Sequence, residues 1–126
     1  MSKELVERTK KFAIRIIKLV QTLPEKDKVS EVLGKQVLRS GTSVGANYRS
    51  ALRGRSSKDF LSRISIAEEE ADGTVYWLEL LIEAGIVSEK KMKLLLQEAR
   101  ELTAILTATG KNKERKYGKM ISIFDF

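Results

Sequence analysis

Apolar residues recur every three or four positions through much of the chain, and short polar segments interrupt the recurrence. Spacing of this kind places apolar side chains on one face of an α-helix. In residues 5–23 the positions on this face are Leu5, Thr9, Phe12, Ile16, Leu19 and Leu23, widened by Ala13, Ile17 and Val20. The pattern predicts a first helix that ends before Pro24, because a proline ring cannot continue the hydrogen-bond ladder.

A second recurrence predicts a helix over about residues 30–53. Its inward positions are Leu33, Val37, Ser40, Val44, Asn47 and Ala51. Gly41 and Gly45 lie in its middle among other small residues, and a glycine costs about 1 kcal/mol of helix propensity relative to alanine. We therefore expect a kink or break near residues 40–45, together with close packing of another backbone against the two glycines.

The third helix is predicted to begin at residues 56–59, since a serine hydroxyl can cap exposed amides and Asp59 suits the positive end of the helix dipole. It should run to about Ala84 and stop at Gly85. Its inward positions are Phe60, Ile64, Ala67, Ala71, Val75, Leu78 and Ile82.

The fourth helix is predicted to be capped by Ser88 and to end at Gly110. Its inward positions are Met92, Leu95, Ala99, Leu102, Leu106 and Thr109. Four helices of similar length with short connectors predict an all-α fold, an antiparallel up-and-down four-helix bundle over residues 1–110. Residues 111–126 are expected to form a basic C-terminal tail, mobile unless its apolar end, residues 121–126, docks on another surface.

The composition narrows the chemistry, because none of the 126 residues is His or Cys. Imidazole and thiolate carry most nucleophilic, proton-relay and soft-metal chemistry near neutral pH. Ser-His-Asp and Cys-His catalysis, zinc sites and haem ligation by either residue are therefore excluded. No apolar run resembles a signal peptide or approaches the length of a membrane span, so we expect a cytoplasmic protein with no membrane partner.

Two acidic clusters could in principle hold Mg²⁺, namely residues 68–72 and the pair Glu98 and Glu101. At 100° per residue, however, Glu69 and Asp72 do not point inward together. The clusters favour a solvated acidic face, and we predict no metal and no cofactor. A carboxylate-dependent Mg²⁺ hydrolase stays a distant third hypothesis.

A polar cluster is predicted inside the bundle, because Asn47 falls on the inward face of the second helix and needs hydrogen-bond partners there. Its predicted members, closing across the second and third helices, are Arg39, Ser43, Asn47 and Glu70. The cluster could fix the register of the helices or, alternatively, line a pocket for a small ligand.

The third helix carries a second apolar ridge roughly opposite its inward face. The ridge consists of Ile66, Gly73, Trp77, Leu80 and Ala84. A helix that is apolar on two faces is typically buried on two faces, so the ridge favours self-association, with Ile66, Trp77 and Leu80 at the interface. A chance scatter of apolar residues is the alternative interpretation.

Basic residues are concentrated in two segments, which together account for the net charge of +7. Residues 110–126 contain five bases and two acids. Residues 49–63 contain Asp59 alone against the bases Arg49, Arg53, Arg55, Lys58 and Arg63. A patch of this kind attracts phosphate backbones without reading sequence. A basic face kept for solubility and a membrane-surface helix are the alternatives.

Four segments of the chain carry a long and specific motif. They are residues 33–49 (LGKQVLRSGTSVGANYR), 57–60 (SKDF), 70–71 (EA) and 76–81 (YWLELL). These segments resemble the bacterial four-helix bundle proteins encoded in intervening sequences of 23S ribosomal RNA genes, and the likeness covers about residues 5–108. That family is similar in fold to the accessory variability proteins of diversity-generating retroelements, which form ring-like homopentamers that engage nucleic acid and a reverse transcriptase.

The resemblance implies a homopentamer, contact with RNA and a protein partner such as a reverse transcriptase. It also implies that Arg39, Ser43, Asn47 and Glu70 form a polar core typical of the family, whereas Gly73 stands where an acidic residue is common. The leading hypothesis is therefore a non-enzymatic oligomeric module that binds structured RNA or another nucleic acid. A structural or adaptor oligomer that binds a protein partner is the alternative.

Overall fold

Four α-helices account for most of the part of the chain that is described. A computed structural model describes the backbone of residues 2–124 and the side chains of residues 3–116. Within it lie α1 (Ser2–Gln21), α2 (Lys28–Leu52), α3 (Ser57–Glu83) and α4 (Glu89–Phe124), with no strand among these residues. The predicted all-α fold of four helices is confirmed.

The helix starts follow from polar side chains that accept hydrogen bonds from exposed amides. Asp27 precedes α2 and accepts from the backbone N–H and the hydroxyl of Ser30, at 3.1 and 2.6 Å. The hydroxyl of Ser56 accepts from the Asp59 N–H, and that of Ser88 accepts from the Lys91 N–H. The predicted caps at Ser56 and Ser88 are confirmed, and each satisfies an amide that its helix leaves unpaired.

The core consists of the inward faces that the apolar spacing predicts. Its largest fully buried side chains include Phe12, Ile16, Val37, Val44, Ile64, Leu78, Met92, Leu102 and Leu106. Thr74 and Leu81 are also buried, although the predicted inward face of the third helix omits them. They widen the buried face of α3 beyond the single line of positions that the spacing indicates.

α1 packs closely against the glycines of α2. A Cβ atom added to Gly41 would lie 2.8 Å from both γ-carbons of Ile16, and one added to Gly45 would lie 3.1 Å from Oγ1 of Thr9. The predicted close approach of another helix is therefore confirmed. α2 nevertheless runs without a break through residues 40–45, because the side chains of α1 fill the space that the glycines leave.

α4 is longer than predicted, and the prediction that it ends at Gly110 is wrong. Among the described residues a positive φ occurs at Gly85 alone, and α4 continues through Gly110 to Phe124. A Cβ on Gly110 would meet Cγ2 of Ile64 at 3.4 Å, so this glycine packs against α3 as part of the helix. The side chains of the predicted apolar end, residues 121–126, lie outside the described residues, and the division into bundle and tail stays a prediction.

None of the helices within residues 2–124 has a stretch long and apolar enough to cross a membrane.

Candidate nucleic-acid interface

The turn between α2 and α3 is closed by backbone and carboxylate contacts. The Gly54 N–H donates to the carbonyl of Ala51 at 3.0 Å, and the Arg55 N–H donates to Oδ2 of Asp59 at 3.2 Å. A Cβ on Gly54 would lie 3.0 Å from that same carbonyl oxygen, which favours glycine at this position. These contacts hold the arginines on either side of Gly54 at one end of the bundle.

The predicted nucleic-acid-binding residues surround this turn, and we call them the turn patch. They are Arg49, Arg53, Arg55, Lys58 and Arg63. The first four are exposed. Arg63 is half-buried. Its Nη1 donates to the Ser50 hydroxyl at 2.8 Å, and its Nε lies 3.5 Å from Oδ1 of Asp59. The turn patch therefore presents four exposed cations and a fifth that ties α3 to α2.

The structure also brings the second basic segment to this end of the bundle. Nζ of Lys113 lies 5.7 Å from the centre of the Phe60 ring, and Gly110 packs beside Ile64. Phe60 belongs to the first turn of α3, so the bases of residues 111–116 lie beside the turn patch. The sequence offered no signal for this juxtaposition, because the fourth helix was expected to stop at Gly110.

The aromatic residues near the turn patch are covered, as far as their side chains are described. Tyr48 is 4% exposed, and burial raises the pKa of its hydroxyl. Phe60 is half-buried beneath Lys113. Neither ring is presented as a platform on which a base could stack.

The predicted polar cluster does not close as one cross-helix set. Nη1 of Arg39 donates to Oε2 of Glu70 at 2.7 Å, which joins α2 to α3. The Ser43 hydroxyl instead donates to the backbone carbonyl of Arg39, and Nδ2 of Asn47 donates to the carbonyl of Ser43. Asn47 is only half-buried, and its amide nitrogen donates within α2 rather than to a partner on α3.

A buried polar contact between α2 and α3 lies one turn away. The hydroxyls of Ser40 and Thr74 are 2.8 Å apart, and both residues are fully buried. Oγ1 of Thr74 also lies 2.7 Å from the carbonyl oxygen of Glu70. Ser40 lies inward as its spacing predicts, but the contact with Thr74 could not be predicted, because spacing within one helix does not reveal which residue faces it from another.

The predicted second ridge of α3 is partly exposed and partly joined to the core. Ile66 is 42% exposed, and among the described residues nothing apart from the chain neighbours and nearby helix backbone of Gly73 lies within 4 Å of a Cβ built on it. Trp77 is half-buried and packs against the core, with the exposed ring of Tyr76 at 5.2 Å in an edge-to-face arrangement. Trp77 therefore contributes to the fold as well as to this surface.

The family model of the 23S rRNA-intervening sequence protein matches residues 2–108. The chain belongs to this family. A crystal structure of a protein with unknown function from the S23 ribosomal protein family of Bacteroides thetaiotaomicron is similar, with a TM-score of 0.80 and 36% sequence identity. The match covers 88% of this chain and 99% of that one. No curated protein matches the chain.

The family predicted from residues 33–49 and the other segments is thus confirmed, and the model match spans all of α1, α2 and α3. The matched stretch of this chain therefore includes the whole α2–α3 turn and the turn patch. The match ends two residues before Gly110, so the bases at 111–116 lie outside it. The likeness to accessory variability proteins stays a prediction.

Three acidic residues, Glu68, Glu79 and Glu98, are engaged with side chains of other helices. Glu98 accepts from Nε and Nη2 of Arg8 at 2.8 and 2.7 Å, and this contact raises the pKa of the guanidinium. Glu68 accepts from the Thr107 hydroxyl at 2.8 Å, and Glu79 lies 3.1 Å from Nη2 of Arg100. Among the described residues no group of three acidic side chains could hold a metal ion.

Proposed function

We propose that the chain is a non-enzymatic, oligomeric binding module that contacts structured RNA through the turn patch. The observation that carries the proposal is the exposure of Arg49, Arg53, Arg55 and Lys58 around a single turn. Asp59, the acid among them, is engaged by Arg63 and by the Arg55 N–H, so it offsets little of the outward charge. Clustered cations attract phosphates and release counterions. A cytoplasmic location is part of this proposal, since that is where we expect the protein to meet RNA.

We infer self-association from the outer surface of α3. Ile66 and Tyr76 are exposed beside Gly73, and in the part of the chain that is described no other helix occupies the space next to this glycine. A glycine inside a helix costs about 1 kcal/mol relative to alanine, and close approach by a second copy would explain it. A homopentamer, expected from the resemblance, would repeat the turn patch five times and increase avidity for a long RNA.

The residue contacts favour the up-and-down arrangement within each copy. Ser40 meets Thr74, whereas Ser50, later in α2, meets Arg63, which is earlier in α3. Such reversed order is what antiparallel neighbours produce. The turn patch then lies at the end of the bundle opposite the α3–α4 connector.

The test is filter binding of a hairpin RNA between about 50 and about 200 mM salt. The turn variant carries Arg49→Glu, Arg53→Glu and Arg55→Glu. Its control carries Lys90→Glu, Lys91→Glu and Lys93→Glu, three exposed bases in the first turns of α4 with the same change of charge. We expect the turn variant to bind more weakly, with a log–log salt slope shallower by about one unit for each phosphate that it no longer reaches.

The control variant should bind like the wild type, since its bases lie at the other end of the bundle. Equal binding by the turn variant and the wild type would overturn the proposal. So would the absence of RNA binding by the wild type at low salt, and the structural or adaptor oligomer would then take its place.

A further inference from the structure

α4 continues past Gly110, and its next turns are strongly basic. We call residues 111–116 the α4 extension. The side chains described in it include one acid, Glu114, which is exposed. The bases are Lys111, Lys113, Arg115 and Lys116. All of these but Lys113 are exposed, so the helix presents cations on more than one side.

The α4 extension is held against the bundle at the same end as the turn patch. Lys113 covers the ring of Phe60, whose backbone N–H donates to the carbonyl of Ser56 in the cap of α3. Lys111 and Glu114 line a groove of about 340 Å³ beside Leu61. Cations from the turn and from α4 thus surround the first turn of α3. Residues 49–63 and 111–116 contain nine bases and two acids, and a third acid, Glu68, lines the same groove.

We propose that the α4 extension is a second phosphate-contacting element of the RNA interface, and that the RNA bound jointly by it and the turn patch is double-helical. This inference rests on the proposed function. It adds residues outside the stretch that the family model matches, and it names the form of RNA that the joint surface accepts.

The charge arrangement favours a duplex over a single strand. Proteins that hold single strands without sequence preference combine a basic groove with aromatic platforms on which bases stack. The aromatic rings described at this end, Tyr48 and Phe60, are buried or covered. A duplex instead offers two phosphate backbones at higher linear charge density, and cations fixed on two separate helical elements can contact both.

The extension variant that tests this carries Lys111→Glu, Arg115→Glu and Lys116→Glu, which are exposed positions that leave Lys113 on Phe60. The variant with Lys90→Glu, Lys91→Glu and Lys93→Glu is again the matched control, on the same helix. A third variant with glutamine at the three extension positions removes charge without adding repulsion. Circular dichroism verifies that all of them keep their helix content.

Each protein is titrated with an RNA duplex and with one of its strands alone. We expect the wild type to bind the duplex more tightly than the strand. The affinity of the wild type for the duplex should fall between about 50 and about 200 mM salt. If the extension variant no longer contacts three of the phosphates, its affinity should fall less over the same range, and the two falls should differ by about 40-fold. The glutamine variant should also be weaker than the wild type, and the control should be unchanged.

Two outcomes would overturn this inference while leaving the proposed function intact. The first is that the extension and glutamine variants bind the duplex as tightly as the wild type does, while the turn variant binds it more weakly. The other is binding of the single strand as tight as binding of the duplex. Failure of the wild type to bind either RNA would refute the proposed function itself.

Discussion

Gly41→Ala tests the closest contact in the fold. The new methyl carbon would lie 2.8 Å from Cγ1 and Cγ2 of Ile16 and 3.2 Å from its Cβ, whereas carbon atoms pack best about 3.5 to 4.0 Å apart. Ile16 is fully buried and branched at Cβ, so it cannot rotate away without displacing α1 or its neighbours in the core.

The expected change in the free energy of unfolding follows from two opposing effects. Alanine improves helix propensity by about 1 kcal/mol over glycine, and overpacking a well-filled core costs about 1 to 3 kcal/mol. Gly110→Ala isolates the first effect, because its methyl would meet Cγ2 of Ile64 at an ordinary 3.4 Å. We therefore expect Gly110→Ala to stabilise the protein, and Gly41→Ala to be less stable than Gly110→Ala by about 1 to 3 kcal/mol.

The assay is thermal and urea unfolding of the wild type and both variants at one protein concentration, since self-association would make the midpoint concentration-dependent. The two variants should differ in Tm by about 4 °C for each kcal/mol at this chain length. Equal stability of the two variants would refute the close packing of α1 on α2. Destabilisation by Gly110→Ala would show that α4 does not continue through residue 110.

Two further predictions concern a cap and the outer surface of α3. The hydrogen bonds from Ser30 lower the pKa of Asp27. The charged carboxylate therefore stabilises the fold fully above the ordinary aspartate pKa, and this stabilisation is lost as the pH falls through the lowered pKa of Asp27. The Tm of Asp27→Asn should therefore fall less than that of the wild type below about pH 4, and equal falls would contradict this. Ile66→Glu should lower the mass measured by light scattering while the helix content stays intact. The control Leu94→Glu changes an exposed residue of α4 and should leave the mass unchanged. An unchanged mass for Ile66→Glu would show that Ile66 does not belong to the interface.

Features that depend on one helix at a time were predictable from the sequence. The buried positions of Phe12, Ile64 and Leu102 follow from helical spacing, and the caps at Ser56 and Ser88 follow from side chains that can accept from exposed amides. The close packing on Gly41 was also predictable, because two glycines inside a helix need a reason outside that helix.

Features that depend on the register between helices were not predictable. The contact of Ser40 with Thr74 requires knowing which turn of α3 faces which turn of α2. The same is true of Asn47, which was expected to reach across helices and instead donates within α2. Gly110 resembled a helix stop, but packing against Ile64 keeps it helical, and this carries the basic residues after it to the turn patch.

Hydrogen exchange of the wild-type protein with and without an RNA duplex locates the surface that contacts RNA. We expect slower amide exchange in residues 49–63 and 111–116, and unchanged exchange near Lys90 and Lys91 at the other end of the bundle. Protection confined to that other end, or no protection under conditions in which the duplex is bound, would contradict the assignment of the basic end as the RNA interface.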